Sequence, residues 1–237
     1  MPRRTRISLA GLPLHLIQRG NNRSDCFFAV EDYRAYLHWL RRYAEGLGVQ
    51  VHAYVLMTNH VHLLLTPERP EYASRLMQAL GRRYVRYVNE KYRRSGTLWE
   101  GRFRACGVHA KDYLFACMRY IELNPVRASL AASPELYRWS SHRHNAQGVD
   151  DPLLAAHPLY TALGGDPTER RAAYRALFGC GLDEATLDGI RAATNRGHLL
   201  APEDVRRLAE SRLGQPLGPA PRGRPWHKNK STLTPII

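Results

Sequence analysis

Cysteine is scarce in this chain and widely spaced. The four residues Cys26, Cys106, Cys117 and Cys180 stand far apart, with no CxxC spacing among them. That argues against a zinc ribbon and gives no disulfide framework, so a reducing cytoplasm is the expected compartment. No apolar run reaches the roughly 18 residues needed to cross a bilayer, so no membrane partner is expected. No long apolar core follows the opening Met-Pro-Arg-Arg-Thr-Arg, so no signal peptide is expected either. Acidic residues are in deficit: 35 Lys+Arg stand against 21 Asp+Glu, a formal charge of +14. A balance of that size favours an anionic polymer as partner. Lysine itself is rare, confined to Lys91, Lys111, Lys228 and Lys230. The cations are therefore mainly guanidinium groups, which bind phosphates and guanine edges in a planar, bidentate way.

What remains is ordinary globular material, 237 residues with 44% hydrophobic and 24% charged. Leu14–Arg19 reads as a short strand ending in the polar turn Gly20-Asn21-Asn22-Arg23. A helix follows over residues 31–47, with Tyr33, Tyr36, Leu37, Leu40, Ala44 and Leu47 on one face. Val49, Val51, Ala53, Val55 and Met57 alternate as a strand does, and Thr58-Asn59 turns the chain into a second strand, His60 to Thr66. A long helix spans 72–92, a strand bulged near Gly101 spans 97–108, and a helix over 111–123 stops at Pro125. The first six of these elements follow the split βαβ–βαβ order of a ferredoxin-like sheet. The expected fold class is α+β: an antiparallel ferredoxin-like sheet with helices on one face, followed by a small helical C-terminal extension and a basic tail. Residues 1–147 form the expected catalytic domain and 148–237 the extension. Helices are expected near 169–178, 183–194 and 202–213. The Pro- and Gly-rich tail from residue 214 carries Arg222, Arg224, Lys228 and Lys230 and reads as a flexible basic arm.

The chemistry-bearing pattern begins at His60-Val61-His62. Strand side chains alternate, so both imidazoles point to one face, half of a metal site. Tyr120 and Asn124 are spaced i, i+4 and share a helix face, one offering a nucleophile and the other an amide oxygen. On spacing alone simpler readings stand: two histidines on a satisfied strand face, Asn124 as an N-cap ahead of Pro125, Tyr120 as a core aromatic. Arg82, Arg83 and Arg86 run along the second helix, either as a phosphate track or as a solvated face. Trp99 and Phe103 suit base stacking, or, more simply, the core.

Several short motifs in order carry a resemblance. They are Arg19-Gly-Asn-Asn-Arg23, Asn59-His-Val-His-Leu-Leu-Leu65, Leu98-Trp-Glu-Gly-Arg-Phe103, Tyr120-Ile-Glu-Leu-Asn124-Pro-Val-Arg and Trp139-Ser-Ser141. Together they resemble the single-tyrosine HUH endonucleases, and more narrowly the REP-associated tyrosine transposases, relatives of the small single-strand insertion-sequence transposases. The resemblance implies that His60, His62 and Asn124 hold a divalent metal, Mg²⁺ or Mn²⁺. It implies that Tyr120 attacks a DNA phosphate to leave a 5′-phosphotyrosine and a free 3′-hydroxyl. The covalent bond keeps the phosphodiester energy, so the break can be rejoined elsewhere. A free phenol is protonated at neutral pH, its pKa being about 10, so a proton acceptor is needed that the sequence does not identify. Tyr113 is the competing nucleophile, but the position four residues on from it is Cys117.

The implied function is a metal-dependent single-strand DNA endonuclease and strand transferase acting on hairpin or palindromic repeat DNA, as a monomer or homodimer. Arg19, Asn21, Asn22 and Arg23 are placed at a strand end where they can read bases, with Arg82, Arg83, Arg86, Arg222 and Arg224 as further DNA contacts. The alternatives are a domesticated protein that binds DNA hairpins without cutting, and a hydrolase in which water rather than Tyr120 attacks.

Overall fold

A computed structural model describes residues 7–214 and 216–218. Among them run β1 (Leu14–Arg19), α1 (Val30–Gly46), β2 (Val49–Leu56), β3 (His60–Pro67), α2 (Tyr72–Lys91), β4 (Arg104–Val108) and α3 (Ala110–Glu122). There follow α4 (Asn124–Arg127), α5 (His142–Gln147), α6 (Pro158–Thr161), α7 (Pro167–Ala176), α8 (Glu184–Arg196), β5 (Leu199–Leu200) and α9 (Glu203–Leu213). The sheet order is β2-β3-β1-β4-β5. Its first four strands pair antiparallel, which is the ferredoxin-like arrangement. β5 departs from this: it adds parallel to β4, through Gly107–Leu199 and Val108–Leu200.

Helices lie on both faces rather than one. Val61, Leu63 and Leu65 pack with Leu40 of α1 and Leu76, Leu80 and Tyr84 of α2. Leu64, Ala53, Val55 and Cys106 on the other face pack with Leu114, Cys117 and Ile121 of α3 and Leu187 and Ile190 of α8. The physical reason is visible in β3, where Val61 to Leu65 are all buried, so each face needs a cover. The extension therefore shares a core with the sheet through Tyr160, Tyr174, Leu187 and Ile190. Simple alternation along β2 also fails. A bulge between Val51 and Ala53 turns Val51 toward α1 and α2 but Ala53 and Val55 toward α3.

The strand expected over 97–108 is shorter. Only Arg104–Val108 is extended. Gly96 and Gly101 adopt φ of 84° and 99°, and the chain between them folds Leu98, Trp99 and then Phe103 into the core beside α2. Trp99 and Phe103 are core residues and not base platforms.

Two buried carboxylates fasten the layers. Asp32 at the start of α1 accepts from the Phe28 and Ala29 amides and from Tyr87, Lys91 and Tyr92 at the end of α2. Glu122 at the end of α3 accepts from Ser141 Oγ (2.6 Å), Asn145 Nδ2 (2.9 Å), the Tyr174 hydroxyl (2.9 Å) and His142 Nδ1 (3.2 Å). Charge-assisted bonds of this kind are the strong ones, and they hold α3 to α5 and α7.

Candidate active site

β3 places His60 and His62 on one face, as strand geometry requires, with ring centroids 5.1 Å apart. That face looks toward α3. The Tyr120 ring meets the His62 ring edge to face at 5.8 Å and the His15 ring at 5.7 Å. Arg127, one turn beyond Asn124, holds its guanidinium 4.3 Å from the Tyr120 ring centroid and also bonds the Tyr120 carbonyl. Arg191 of α8 lies near enough to the phenol to be influenced by it: its pKa is raised mainly by the bond to Asp188, with Tyr120 adding to the rise. Tyr120 thus lies between two imidazoles and the Arg127 guanidinium.

Asn124 resolves differently from an N-cap. α3 ends at Glu122, Leu123 keeps right-handed helical angles, and Asn124 opens α4 without a side-chain capping bond. Pro125 offers no amide to the preceding turn and so splits the two helices. The Asn124 Nδ2 is buried without a hydrogen-bond partner among the described residues. The two ends of an amide are sterically alike, so a half-turn puts a bare carbonyl oxygen there.

Burial dominates the electrostatics. It lowers the His60 pKa to about 4, with Arg19 adding to the effect. It lowers His15 to about 3 and His62 well below the usual value. Neutral imidazoles are the form that binds metals. Among the described residues no three His, Cys, Asp or Glu side chains cluster as a metal cage, so a cation here would rely on two imidazoles and the Asn124 amide.

The turn Arg19–Arg23 sits at this site. Arg19 pairs with His60 across β1 and β3, and the Gly20 amide and Arg23 carbonyl bond Asn59. Asn21, Asn22 and Arg23 are exposed. At Gly20 an added Cβ would lie 2.1 Å from the Ser24 carbonyl oxygen, so the turn closes only without a side chain. Beside it a cleft is lined by Ile17, Arg19, Glu100, Arg102, Arg104 and Asn195. Arg82, Arg83 and Arg86 are exposed on α2, which covers the opposite face of the sheet, and Arg83 lies over the Trp39 ring. Arg222 and Arg224 lie outside the described residues.

His15, Arg127, Arg191, Thr194, Arg102 and Arg104 were not singled out in the sequence. Arg127 closes the motif that begins at Tyr120, and His15 has the strand spacing that puts it on the face of Ile17 and Arg19. Arg191 and Thr194 lie far along the chain, and only the fold brings them here.

The IS200-like transposase family model matches residues 8–124. A solved REP-associated tyrosine transposase, bound to a REP hairpin, is similar over 66% of this chain and 93% of its own, with 19% identity and a TM-score of 0.53. That likeness shows the fold. A protein of Deinococcus radiodurans R1, provisionally classed as a transposase, matches over 48% of this chain and 91% of its own, with 24% identity and a TM-score of 0.36. No curated protein matches the chain.

Proposed function

Because residues 8–124 of the chain belong to the IS200-like transposase family, we propose that the protein cuts and rejoins single-stranded DNA at hairpin or palindromic repeats, with Tyr120 as the nucleophile. The observation that carries this reading is the placement of Tyr120. Its ring stands 5.8 Å from that of His62 and under the Arg127 guanidinium, on the sheet face that carries His60. The ring is packed in the core layer, but the guanidinium held over it is a feature that packing alone does not call for.

In this reading the Tyr120 oxygen bonds to phosphorus and the bond from phosphorus to the 3′-oxygen breaks. The phenolic proton is lost as the new bond forms, and the departing oxygen takes up a proton to become a 3′-hydroxyl. The product is a 5′-phosphotyrosine, and attack by another 3′-hydroxyl reverses the step. Arg127 and Arg191 favour the negative charge that develops on the phenol and the phosphoryl oxygens. His60, His62 and the Asn124 amide would hold a divalent cation. The two neutral imidazoles and the unpartnered Asn124 amide fit that role. When bound, the ion supplies Lewis-acid polarisation of the scissile phosphate. Two nitrogen ligands favour Mn²⁺ over Mg²⁺ in affinity.

Arg19, Arg102 and Arg104 line the neighbouring cleft and would hold the flanking phosphates, with Asn21, Asn22 and Arg23 reaching bases. The arginines of α2 would act at longer range, from the far face. The reading is tested by incubating the protein with hairpin oligonucleotides and Mn²⁺ and running denaturing gels. A covalent protein–DNA band that needs both metal and Tyr120 supports it. Hairpin binding with no strand scission would sink it and leave a binding protein.

A further inference from the structure

Beneath the two histidines runs a buried chain of hydrogen bonds whose direction can be worked out. His62 Nδ1 lies 2.9 Å from His15 Nε2, and His15 Nδ1 lies 3.0 Å from Thr194 Oγ1. Thr194 Oγ1 lies 2.8 Å from the Ile190 carbonyl, one turn back along α8. A carbonyl oxygen only accepts, so the single hydroxyl proton of Thr194 goes to Ile190, the closer and stronger acceptor, and the Cys106 thiol 3.3 Å from the same oxygen is left as a weak donor to it. Thr194 must then accept from His15, which carries its proton on Nδ1. His15 is fully buried and its hydrogen-bond partners include no carboxylate, so a doubly protonated, charged ring is disfavoured there. The bare His15 Nε2 therefore accepts from Nδ1–H of His62. The two rings lie within 14° of parallel, and an N···N distance of 2.9 Å is too short for rings stacked face to face, so they meet at their edges.

His60 follows the same logic by a separate route. Asn59 Nδ2 donates to the Arg23 carbonyl at 3.0 Å, which turns Asn59 Oδ1 toward His60 Nδ1 at 2.6 Å. That oxygen only accepts, so the His60 proton also sits on Nδ1.

We infer that Thr194, His15 and Asn59 are positioning residues that lock His60 and His62 as Nδ1–H tautomers, so that both present a bare Nε2 to the face shared with Tyr120. This rests on the metal reading above for its purpose, though not for its geometry. It assigns a role to α8, which lies beyond the segment matched by the transposase family. The extension after residue 147 then does more than cover the sheet: its Thr194 sets which nitrogen of His62 is free. Outer-shell partners of metal-binding histidines typically change metal affinity by about 10- to 100-fold when removed.

The test uses full-length protein labelled with ¹⁵N-histidine, free of metal, at pH 7.5. Long-range ¹H–¹⁵N correlation spectra distinguish the two neutral tautomers. Wild-type protein should show His15, His60 and His62 all protonated on Nδ1. Thr194→Val keeps the shape but removes the acceptor. It should give His62 a substantial Nε2–H population and weaken Mn²⁺ binding, followed by electron paramagnetic resonance, about 10-fold or more. Thr194→Ser should restore both. His62 protonated on Nε2 in the wild type would overturn the inference without recourse to any variant. So would a folded Thr194→Val with unchanged tautomers and unchanged Mn²⁺ affinity. Wild-type protein that shows the Nδ1–H forms yet binds no Mn²⁺ would refute the metal reading and support the tautomer assignment.

Discussion

Glu122 lies two residues from Tyr120, and its carboxylate is the point at which the tyrosine helix is fastened to the rest of the fold. It is fully buried and accepts from Ser141, Asn145, Tyr174 and His142. Glu122→Ala would remove the acceptor for four buried donors. Each buried donor left without a partner costs about 1–3 kcal/mol. The four costs are not independent, because a cavity of this size lets side chains turn and a water enter. The expected loss is therefore about 3–5 kcal/mol, less than the sum of four separate losses. For a chain of this length it corresponds to a fall in Tm of about 6–20 °C, at 2–4 °C per kcal/mol. Glu122→Gln keeps one oxygen for Ser141 and Asn145. Its new amide group faces Tyr174 and His142, and both can turn from donor to acceptor. Its cost should be under half that of alanine. Urea denaturation followed by the fluorescence of the core residue Trp99 and its partly buried neighbours Trp39 and Trp139 measures both. A Glu122→Ala protein within about 1 kcal/mol of wild type would show that these bonds contribute little, and the anchoring argument would fail.

Acid should destabilise the fold before its carboxylates titrate. Burial lowers the His52 pKa to about 4 while its rings bond Ala155 and Thr66. The unfolded chain takes up this proton near pH 6.5 and the folded one does not, so stability is full above that pH and falls as pH drops toward 4. His52 alone accounts for about 3 kcal/mol at most, at 1.36 kcal/mol per unit. Stability that stays flat from pH 7 to pH 4.5 in urea titrations would contradict this. Arg127→Met keeps bulk over the Tyr120 ring but removes the cation. It should slow adduct formation about 10-fold in single-turnover assays with hairpin binding little changed; an unchanged rate would leave Arg127 without a part in the chemistry. Replacing Arg82, Arg83 and Arg86 together by Gln should weaken hairpin binding about equally for all sequences and lower its salt slope, since these residues face away from the site. The same change abolishing cleavage at saturating DNA would place them in the chemistry instead.

Much of the site could be read from local geometry. The strand Leu14–Arg19 was read as an apolar segment ending at Gly20, and its observed limits agree. His60 and His62 share a face because strands alternate, and no tertiary contact was needed to see it. Tyr120 and Asn124 required more, since i, i+4 spacing alone fits a core aromatic and a cap equally well. The absence of a capping bond at Asn124 removes the cap reading, while Tyr120 is itself packed into the core layer that α3 shares with α8. The strand over 97–108 misled because Gly101 was read as a bulge within an extended segment, whereas Gly96 and Gly101 turn the backbone to positive φ. Helices were expected on one face only; the run Leu63–Leu65 in β3 was the signal for cover on both, and the bulge at His52 hid which residues of β2 face which layer. Arg191 and Thr194 were out of reach. They meet Tyr120 and His15 only through docking of α8 on β4, which no local periodicity records.

The central claim is that the Tyr120 oxygen attacks DNA phosphorus, and peptide mapping of the trapped adduct tests it most directly. Wild-type protein incubated with a cleavable hairpin and Mn²⁺ is digested with protease and nuclease, and the modified peptide is sequenced by mass spectrometry. The account predicts a 5′-phosphonucleotide on Tyr120, its loss with full retention of folding and hairpin binding in Tyr120→Phe, and no change in Tyr113→Phe. An adduct on Tyr113, or strand cleavage that survives in Tyr120→Phe, would contradict it.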